Sequence, residues 1–420
     1  MKKSRIKDTK QQCSFCGRYE NETTLMITGL YGNICDTCTE QAYEIVEGNV
    51  KIHVDSGVKF QQTSLAELPK PLEIKEFLDQ YIIGQDSAKR FLAVSVYNHY
   101  KRLLQKNTKS DDVEIEKSNI IMVGSTGTGK TLLARTIAKL LHVPFTIVDA
   151  TVLTEAGYVG EDVESLLTRL LQVANYEVSE AEKGIVFIDE LDKIARKSDN
   201  PSITRDVSGE GVQQGLLKLL EGSIVNVPPQ GGRKHPDQKM IQVDTKNILF
   251  ICGGAFDGIE KKIAQRMNAH VVGYEASRKT STIDRSNLLQ YITPQDLKSF
   301  GLIPEIIGRL PVLTYLEPLD RKALRSILTE PKNSIIKQYV QLFKMDKVKL
   351  TFQDEVLEYI VDKAMEFKLG ARGLRSIVES IMIDVMFDIP SQERHTFKVT
   401  LDYAQQQLSK TNLTGLQSAS

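Results

Sequence analysis

The sequence has no net charge, no long apolar run and no internal repeat. Its 54 Lys and Arg residues balance 54 Asp and Glu residues, so global charge favours neither nucleic acid nor an anionic membrane as a partner. No run approaches the roughly 18 apolar residues of a membrane span. The basic start MKKSRIKDTK is not followed by the apolar segment that a secretory signal contains. We therefore expect a cytoplasmic protein whose cysteines stay reduced.

A length of 420 residues allows two or three domains, and contents of 41% hydrophobic and 26% charged residues are typical of a globular protein. Short β-rich runs alternate with helical segments along the middle of the chain. This alternation predicts an α/β fold in which a parallel sheet is covered by helices on both faces. The candidate strands are NIIMV (119–123), FTIVD (145–149), GIVFID (184–189) and NILFIC (247–252).

After EPLD (317–320) amphipathic helical segments dominate the sequence. The first, RKALRSILTEPKNSIIKQYVQLFKM (321–345), is predicted to be helical despite its internal proline. Short strands are predicted at VKLTF (348–352) and FKVTL (397–401). These features predict a small, mainly helical domain that is followed by a polar tail.

The segment GSTGTGKT follows the strand NIIMV and opens the helical run LLARTIAKLL. This is the P-loop pattern in its proper context, although eight such residues alone could also form a glycine-rich turn. The backbone amides would wrap phosphate oxygens at a helix N-terminus. Lys130 would reach the β- and γ-phosphates, and the Thr131 hydroxyl would ligate Mg²⁺. The predicted ATP contacts are Gly124, Ser125, Thr126, Gly127, Thr128, Gly129, Lys130, Thr131 and Leu132.

The run GIVFIDE ends in Asp189 and Glu190. Alone, an apolar run that ends in two acids is more often a strand leaving the core. Downstream of a P-loop, the two carboxylates are expected at the carboxyl edge of a parallel sheet, where ligands bind. Asp189 would then support Mg²⁺ and Glu190 would polarise the attacking water, which predicts a magnesium-dependent ATPase.

Four of the five cysteines lie within the first 38 residues as two Cys-x2-Cys pairs. A disulfide framework is disfavoured in a reducing compartment, and a thioredoxin-type motif needs only one such pair. We therefore predict a closed, structural zinc site in which zinc supplies most of the folding energy of a small module. Cys252, in the apolar run ILFIC, is interpreted as an inert core residue. The predicted zinc ligands are Cys13, Cys16, Cys35 and Cys38.

The ordered set of motifs resembles the AAA+ ATPases and, more closely, the ClpX family of ATP-driven unfoldases. Besides the P-loop, FIDE and the cysteines, the set contains GYVG, RDVSGEGVQQ, GGRKHP, FGLIPEIIGRLPV and GARGLRS. The resemblance covers the chain from Cys13 to about Leu401. It implies a homohexamer that unfolds tagged proteins, delivers them to the ClpP peptidase and binds adaptors through the zinc domain. The implied domains are zinc-binding (1–54), linker (55–70), AAA+ large (71–316), small helical (317–405) and disordered tail (406–420).

The resemblance assigns three segments to the central channel. Tyr158 and Val159 of GYVG would grip substrate, although alone this tetrapeptide is more often a tight turn. Arg205 of RDVSGEGVQQ would belong to a second pore loop. GGRKHP would be a basic loop that attracts acidic groups of incoming tags, although three basic residues alone usually form a solvated loop. Its basic residues are Arg233, Lys234 and His235.

The resemblance also assigns residues to the nucleotide and to the peptidase. Arg309 matches the arginine finger that acts on a neighbouring subunit's ATP, and Arg372 matches the sensor-2 arginine of its own subunit. Ile82 and Ile83 of YIIGQ match the adenine-side wall. Val272-Gly273-Tyr274 stands where the family's ClpP-docking loop usually has Ile-Gly-Phe, so tyrosine replaces phenylalanine.

Two other classes of function compete with this interpretation. A ring motor on nucleic acid would use the zinc module to read DNA, but the chain has neither net positive charge nor a basic stripe with interleaved aromatics. A non-enzymatic zinc adaptor would bind nucleotide without hydrolysing it, yet the residues for hydrolysis are intact. We therefore expect neither nucleic acid nor a membrane as a partner.

Overall fold

The structure is a computed structural model, which describes residues 12–29, 32–39, 67–105, 113, 115–154, 161–196, 209–228, 240–269, 287–367, 370–392 and 395–410. The chain divides into two compact units, Met1–Val58 and Lys59–Ser420. Within the described ranges, no helix is both long enough and apolar enough to cross a bilayer.

The N-terminal unit is built on a small antiparallel hairpin. Strand β1 (Met26–Thr28) pairs with β2 (Asn33–Cys35), and a short 3-10 turn (Glu20–Glu22) precedes them. A tight turn lies before the hairpin, where the Gly17 N–H donates to the Cys13 carbonyl and Gly17 adopts a φ of +77°. This left-handed conformation favours glycine.

The second unit begins with an α/β region and ends in a mainly helical region. The α/β region contains α1 (Pro71–Asp79), α2 (Asp86–Leu103), β3 (Ile120–Val123), α3 (Lys130–Leu141), β4 (Phe145–Asp149), β5 (Leu153–Thr154), β6 (Glu161–Asp162), α4 (Ser165–Val173), α5 (Val178–Ala181), β7 (Ile185–Asp189), α6 (Glu210–Glu221), β8 (Ile224–Val227), β9 (Ile241–Asp244), β10 (Leu249–Gly254), α7 (Ile259–Ala269), α8 (Pro294–Phe300), α9 (Pro304–Gly308) and β11 (Val312–Tyr315). The helical region contains α10 (Arg321–Thr329), α11 (Ile335–Met345), β12 (Lys349–Phe352), α12 (Asp354–Glu366), α13 (Gly370–Asp388), β13 (Thr396–Val399) and α14 (Leu401–Lys410). Short 3-10 turns occur at Ala150–Val152, Leu191–Ile194, Thr245–Asn247, Leu288–Tyr291 and Ile389–Ser391.

The main sheet is parallel, with strand order β11-β3-β10-β7-β4. Successive residues of its strands enter two different hydrophobic clusters, because side chains alternate between the two faces of a sheet. This arrangement confirms the predicted α/β class and all four predicted strands. Strand β11, at the edge of the sheet, was not among the predicted strands. Cys252 is buried in β10 as predicted, and burial raises the pKa of its thiol to about 12.

The helical region packs around its own hydrophobic cluster and contains a two-stranded parallel sheet, β12 with β13. Both strands were predicted. The expectation of one helical segment over 321–345 is wrong, because α10 ends at Thr329 and α11 begins at Ile335. Pro331 lies in the break, since proline lacks the N–H that a helix interior requires. Ser334 caps the second helix by accepting a hydrogen bond from the Lys337 N–H.

Helix α14 corrects the boundary predicted for the tail. Residues 406–410 were assigned to a disordered tail, but they form the second half of this helix. The helix is held because Ala404 and Leu408, one turn apart, are buried in the hydrophobic cluster of the helical region. Apolar residues four positions apart are typical of one face of a helix, so the sequence already indicated that the helix continues past residue 405.

Candidate nucleotide and zinc sites

The P-loop connects β3 to α3, as predicted. Gly127 and Gly129 adopt φ values of +81° and +105°, which glycine tolerates and other residues rarely do. A Cβ on Gly124 would lie 2.8 Å from the Cβ of Leu316, so a side chain at this position would collide with the chain just after β11. The glycines are therefore required by the backbone conformation and by close packing around the loop.

Lys130 is folded onto the loop that precedes it. Its Nζ donates hydrogen bonds to the carbonyl oxygens of Gly124 and Ser125, the second at 3.1 Å. Burial lowers the pKa of the Lys130 ammonium, whereas the negative charges of Asp189 and Asp192 act in the opposite direction. A phosphate in the loop would give this buried cation a direct counter-charge.

Thr131 and Asp189 meet at the start of α3 and the end of β7. The Thr131 hydroxyl donates to Asp189 Oδ2 at 3.0 Å. Adjacent oxygen ligands of octahedral Mg²⁺ lie about 2.9 Å apart, given magnesium–oxygen distances of about 2.0–2.1 Å. The hydroxyl and carboxylate oxygens therefore fit the Mg²⁺ pair that the sequence predicted.

Glu190 follows β7 with a φ of +55°, which turns the chain sharply at the strand end. Such a conformation is uncommon for a residue other than glycine and often marks a functional site. The Glu190 side chain is exposed towards the cleft. Partial burial within the cleft raises the pKa of the Glu190 carboxyl most, and the negative charges of Asp149 and Asp189 raise it further. A raised pKa makes this carboxylate a stronger base.

These groups line one cleft between the α/β region and helix α13. Arg372, near the start of α13, lines the cleft together with Lys130, Thr131, Asp189 and Glu190. The small helical region thus closes over the P-loop and brings Arg372 together with the residues predicted to bind phosphate and Mg²⁺ and to activate water.

The sequence analysis missed several residues of the cleft, among them Asp192 and Ala255. Asp192 and Ala255 line the cleft beside the ends of β7 and β10, and the Ala255 N–H donates to Asp192 Oδ1 at 3.0 Å. A Cβ on Gly254 would lie 2.8 Å from that oxygen, so glycine allows this close approach. The signal in the sequence was the position of both residues just after predicted strands, at the ligand-binding edge of a parallel sheet.

Among the described residues, the predicted ATP contacts Gly124, Ser125 and Thr128 do not line this cleft, and neither do Arg309, Ile82 and Ile83. Arg309 lies at the end of α9 and pairs with Glu221 at 2.9 Å. Ile82 is buried in the core beneath the sheet, and Ile83 is half-buried. Their turn contacts the helical region, because the Lys332 N–H donates to the Gln80 carbonyl at 2.7 Å.

The predicted channel and peptidase-docking residues lie outside the described residues. GYVG is flanked by β5 and β6, whose residues pair in parallel, with Leu153 opposite Glu161 and Thr154 opposite Asp162. Helix α6 follows the segment with Arg205. The predicted residues in these undescribed segments are Tyr158, Val159, Arg205, Arg233, Lys234, His235, Val272, Gly273 and Tyr274.

The four cysteines predicted as zinc ligands converge in the N-terminal unit, with all sulfur atoms within 4.8 Å of one another. Sγ of Cys16 and Sγ of Cys35 are 3.6 Å apart, close to the edge of about 3.8 Å in a zinc tetrahedron with 2.3 Å zinc–sulfur bonds. Backbone N–H groups, chiefly that of Cys16, lower the pKa of Cys13 to about 6, which favours the thiolate that binds metal. The set therefore fits zinc.

Known families match the three parts of the chain. Residues 11–48 match the ClpX C4-type zinc finger, residues 115–313 match the AAA domain (Cdc48 subfamily), and residues 319–401 match the C-terminal D2-small domain of ClpB protein. The ATP-dependent Clp protease ATP-binding subunit ClpX of Bacteroides fragilis is 78% identical over 413 residues, covering 98% of this chain and 99% of the relative. The chain belongs to the ClpX family.

Further ClpX relatives extend the match. The Bacteroides thetaiotaomicron subunit is 77% identical over 416 residues, covering 98% of this chain and 99% of the relative. The Porphyromonas gingivalis subunit is 67% identical over 410 residues, covering 97% and 98%. The predicted ClpX resemblance, the AAA+ fold with a zinc-binding and a small helical domain, the ATPase and the cofactors ATP, Mg²⁺ and structural Zn²⁺ are confirmed.

Removing zinc from the full-length chain is expected to unfold the N-terminal unit and to spare the ATPase. The thiolates of that unit lose the ion that holds them together, whereas the cleft lies in the other compact unit. With a zinc-selective chelator and Mg²⁺ kept in excess, four thiols should become reactive to a thiol reagent while buried Cys252 stays protected. ATP turnover should be retained, and its loss together with the zinc would contradict this separation.

Proposed function

We propose that this ClpX-family chain hydrolyses ATP to unfold tagged proteins and to pass them through the pore of a homohexamer into the ClpP peptidase. The chain supplies the ATPase and ClpP supplies the peptidase, in the cytoplasm. The observation that carries the proposal is the ATP cleft, which is closed by Arg372 of its own small domain but lacks Arg309. A second subunit would therefore have to complete it.

Each cleft residue has a distinct role in hydrolysis. Lys130 and the loop amides would hold the phosphates, and Thr131 and Asp189 would hold Mg²⁺, which would supply positive charge to neutralise the phosphates. Glu190, with its raised pKa, accepts a proton from the attacking water. Arg372 contacts the same phosphates from the small domain and so links nucleotide state to domain movement.

The resemblance to the ClpX family supports Tyr158 and Val159, flanked by glycines in GYVG, as the gripping surface. An exposed aromatic and an exposed aliphatic side chain can press against any polypeptide through van der Waals contact. The glycines on either side of this pair in the sequence would suit a loop that changes conformation with the nucleotide, because glycine restricts the backbone least. Arg205 supports this grip from a second loop, and the basic loop at 233–235 attracts acidic groups of the tag.

Two interactions extend beyond the ring. Val272-Gly273-Tyr274 would dock on ClpP with an apolar residue, a glycine and an aromatic ring, and the tyrosine hydroxyl would require water or a polar partner there. The zinc domain binds adaptors that deliver substrates. Its outer surface carries the apolar side chains of Phe15, Leu25 and Ile27, which are exposed within this unit.

A ring motor on nucleic acid is the competing function. Unfolded protein should stimulate ATP hydrolysis by this chain, whereas duplex or single-stranded DNA should not, because the chain has no net charge. Stimulation by DNA alone would favour the competing function.

Replacing Tyr158 with alanine is expected to uncouple hydrolysis from unfolding. ATP binding and assembly should persist because Tyr158 lies outside the phosphate motifs. Hydrolysis should continue, but unfolding of a stable tagged protein should fall sharply, since roughly 5–15 kcal/mol must be overcome by repeated grips. An already unfolded substrate should be affected much less. The measurement is unfolding of a tagged fluorescent protein per ATP consumed.

The matched control is Tyr158→Phe, which keeps the ring and removes only the hydroxyl. It should unfold the same substrate with nearly normal efficiency, because bulk makes the contact. Wild-type efficiency from Tyr158→Ala would show that this loop is a surface turn and not the gripping element.

A further inference from the structure

The predicted arginine finger is held by a specific ion pair within its own subunit. Nε and Nη2 of Arg309 both contact Oε1 of Glu221, at 3.1 and 2.9 Å. These contacts occupy one edge of the planar guanidinium and leave Nη1 at the other edge. Both side chains are about half exposed, at 51% and 43%. A pair this exposed contributes little to folding stability.

Glu221 is also unfavourably placed for the helix that carries it. It is the last residue of α6, where the helix dipole disfavours a negative charge. The carboxylate therefore does not serve the stability of α6. Its visible effect is to fix the side-chain torsions of Arg309.

The backbone of Arg309 is fixed to the same helix end by a buried asparagine. Asn119, which is 1% exposed, donates through Nδ2 to the carbonyl oxygens of Arg309 and Leu220, at 3.0 and 3.1 Å. Its Oδ1 accepts from the Phe250 N–H at 3.3 Å, which anchors the amide to the central sheet. Asn119 therefore holds the main chain of Arg309 and the C-terminal end of α6 together.

The other end of the finger segment is tied to α6 as well. Gln213, fully buried in α6, accepts from the Ile303 N–H at 2.8 Å, at the residue before α9. It also donates to the Ile194 carbonyl at 2.8 Å, in the turn that follows Asp189 and Glu190. Helix α9 is therefore fixed to α6 at both ends, and the carrier of Arg309 is rigid.

We propose that Glu221 is a positioning residue that aims the Arg309 guanidinium at the ATP bound by the neighbouring subunit. Glu221 holds the Nε and Nη2 edge, so Nη1 is left to meet the phosphate. A charged carboxylate suits this role because charge-assisted hydrogen bonds are shorter and stronger than neutral ones. Placing the cation before reaction lowers the barrier, since reorientation is not needed in the transition state. The inference rests on the trans-acting role proposed for Arg309.

The test uses rings mixed from two inactive chains. A donor chain carries Glu190→Gln and keeps Arg309, so it binds ATP and offers a finger but cannot hydrolyse. An acceptor chain carries Arg309→Ala and keeps an intact cleft. Turnover in the mixture then comes from acceptor clefts that face a donor finger. Glu221→Ala is placed on the donor in one mixture and on the acceptor in another.

Glu221→Ala on the donor should lower the kcat of the mixture about tenfold with little change in KM, because a misplaced catalytic group costs transition-state stabilisation. The same change on the acceptor should leave kcat unchanged. The thermal midpoint of each chain should not fall, since removing a carboxylate from the end of α6 does not weaken the helix. As a matched control, Asp362→Asn removes a similarly exposed partner of Arg321 in the small domain and should change nothing on either chain.

The outcomes separate the inference from the proposed function. An inactive parental mixture would remove the trans-acting role of Arg309, and the inference with it. An active parental mixture in which Glu221→Ala lowers turnover equally from either chain, or from neither, would leave the finger in place and contradict the positioning role of Glu221.

Discussion

Replacing Glu190 with glutamine should lower ATP turnover by about 10²–10⁴-fold, the usual contribution of a general base. The side chain faces the cleft beside Asp189, and its raised pKa favours proton acceptance. Glutamine keeps the size but cannot take the proton. ATP binding should persist because Lys130, Thr131 and Asp189 are unchanged. Turnover and nucleotide affinity, measured separately, check both parts of this expectation.

The matched comparison for this variant is Asp189→Asn. Asparagine at 189 weakens the Mg²⁺ site with Thr131, so it should lower affinity for Mg–ATP, whereas Glu190→Gln should not. Only the ionised form of Glu190 can accept a proton. Because the pKa of its carboxyl is raised, acidification should protonate it, and so lower wild-type turnover, at a higher pH than for an ordinary glutamate. Near-normal turnover from Glu190→Gln would remove this residue from the role of base.

Arg309→Ala should lower ATP turnover by up to roughly 10³-fold, at the lower end of the range for arginine fingers. Arg309 does not line the cleft of its own subunit, so the loss should reflect the missing charge at a neighbour's ATP. The fold should be unaffected, because the pair with Glu221 is largely exposed. A matched control is Arg321→Ala, which removes an equally exposed arginine, paired to Asp362 on the small domain, and should leave turnover unchanged.

Mixing separates a finger supplied in trans from one that acts within its own subunit. Chains with Arg309→Ala and chains with Glu190→Gln are each expected to be slow alone, and turnover should partly recover when they exchange subunits. Recovery requires interfaces that pair an intact cleft with an intact finger. Mixed rings that exchange subunits and show no recovery would count against the trans assignment.

Most of the fold was visible in the sequence because its strands are buried and continuous. The apolar runs that become β3, β7 and β10 are buried on both faces, so hydrophobicity alone marks them, whereas β4 is a partly buried edge strand that was recognised as the β-rich run FTIVD. Strand β11, at the other edge, is also half-buried, and its run of four residues was too short to mark a strand. Its burial arises from pairing with β3, a contact between distant parts of the chain.

The residues of the candidate site also fall into those marked by a local pattern and those that depend on long-range contacts. The P-loop and the acids after β7 were predicted because each is a local motif at a strand end. The contacts of Arg309 with Glu221 and Asn119 span 88 and 190 residues, and no local pattern announces them. Asp192 follows a predicted strand, but its hydrogen bond with Ala255, 63 residues away, has no local signal in the sequence. Long-range hydrogen bonds depend on the assembled sheet and require the structure.

The central claim is that this chain converts ATP hydrolysis into protein unfolding. The direct measurement is the fluorescence of a stable, tagged fluorescent protein incubated with the chain, without ClpP and with a trap that captures unfolded product. We expect fluorescence to fall with ATP, and to persist with a non-hydrolysable analogue or with the Glu190→Gln variant. Steady ATP turnover with undiminished fluorescence of the tagged protein would contradict the account.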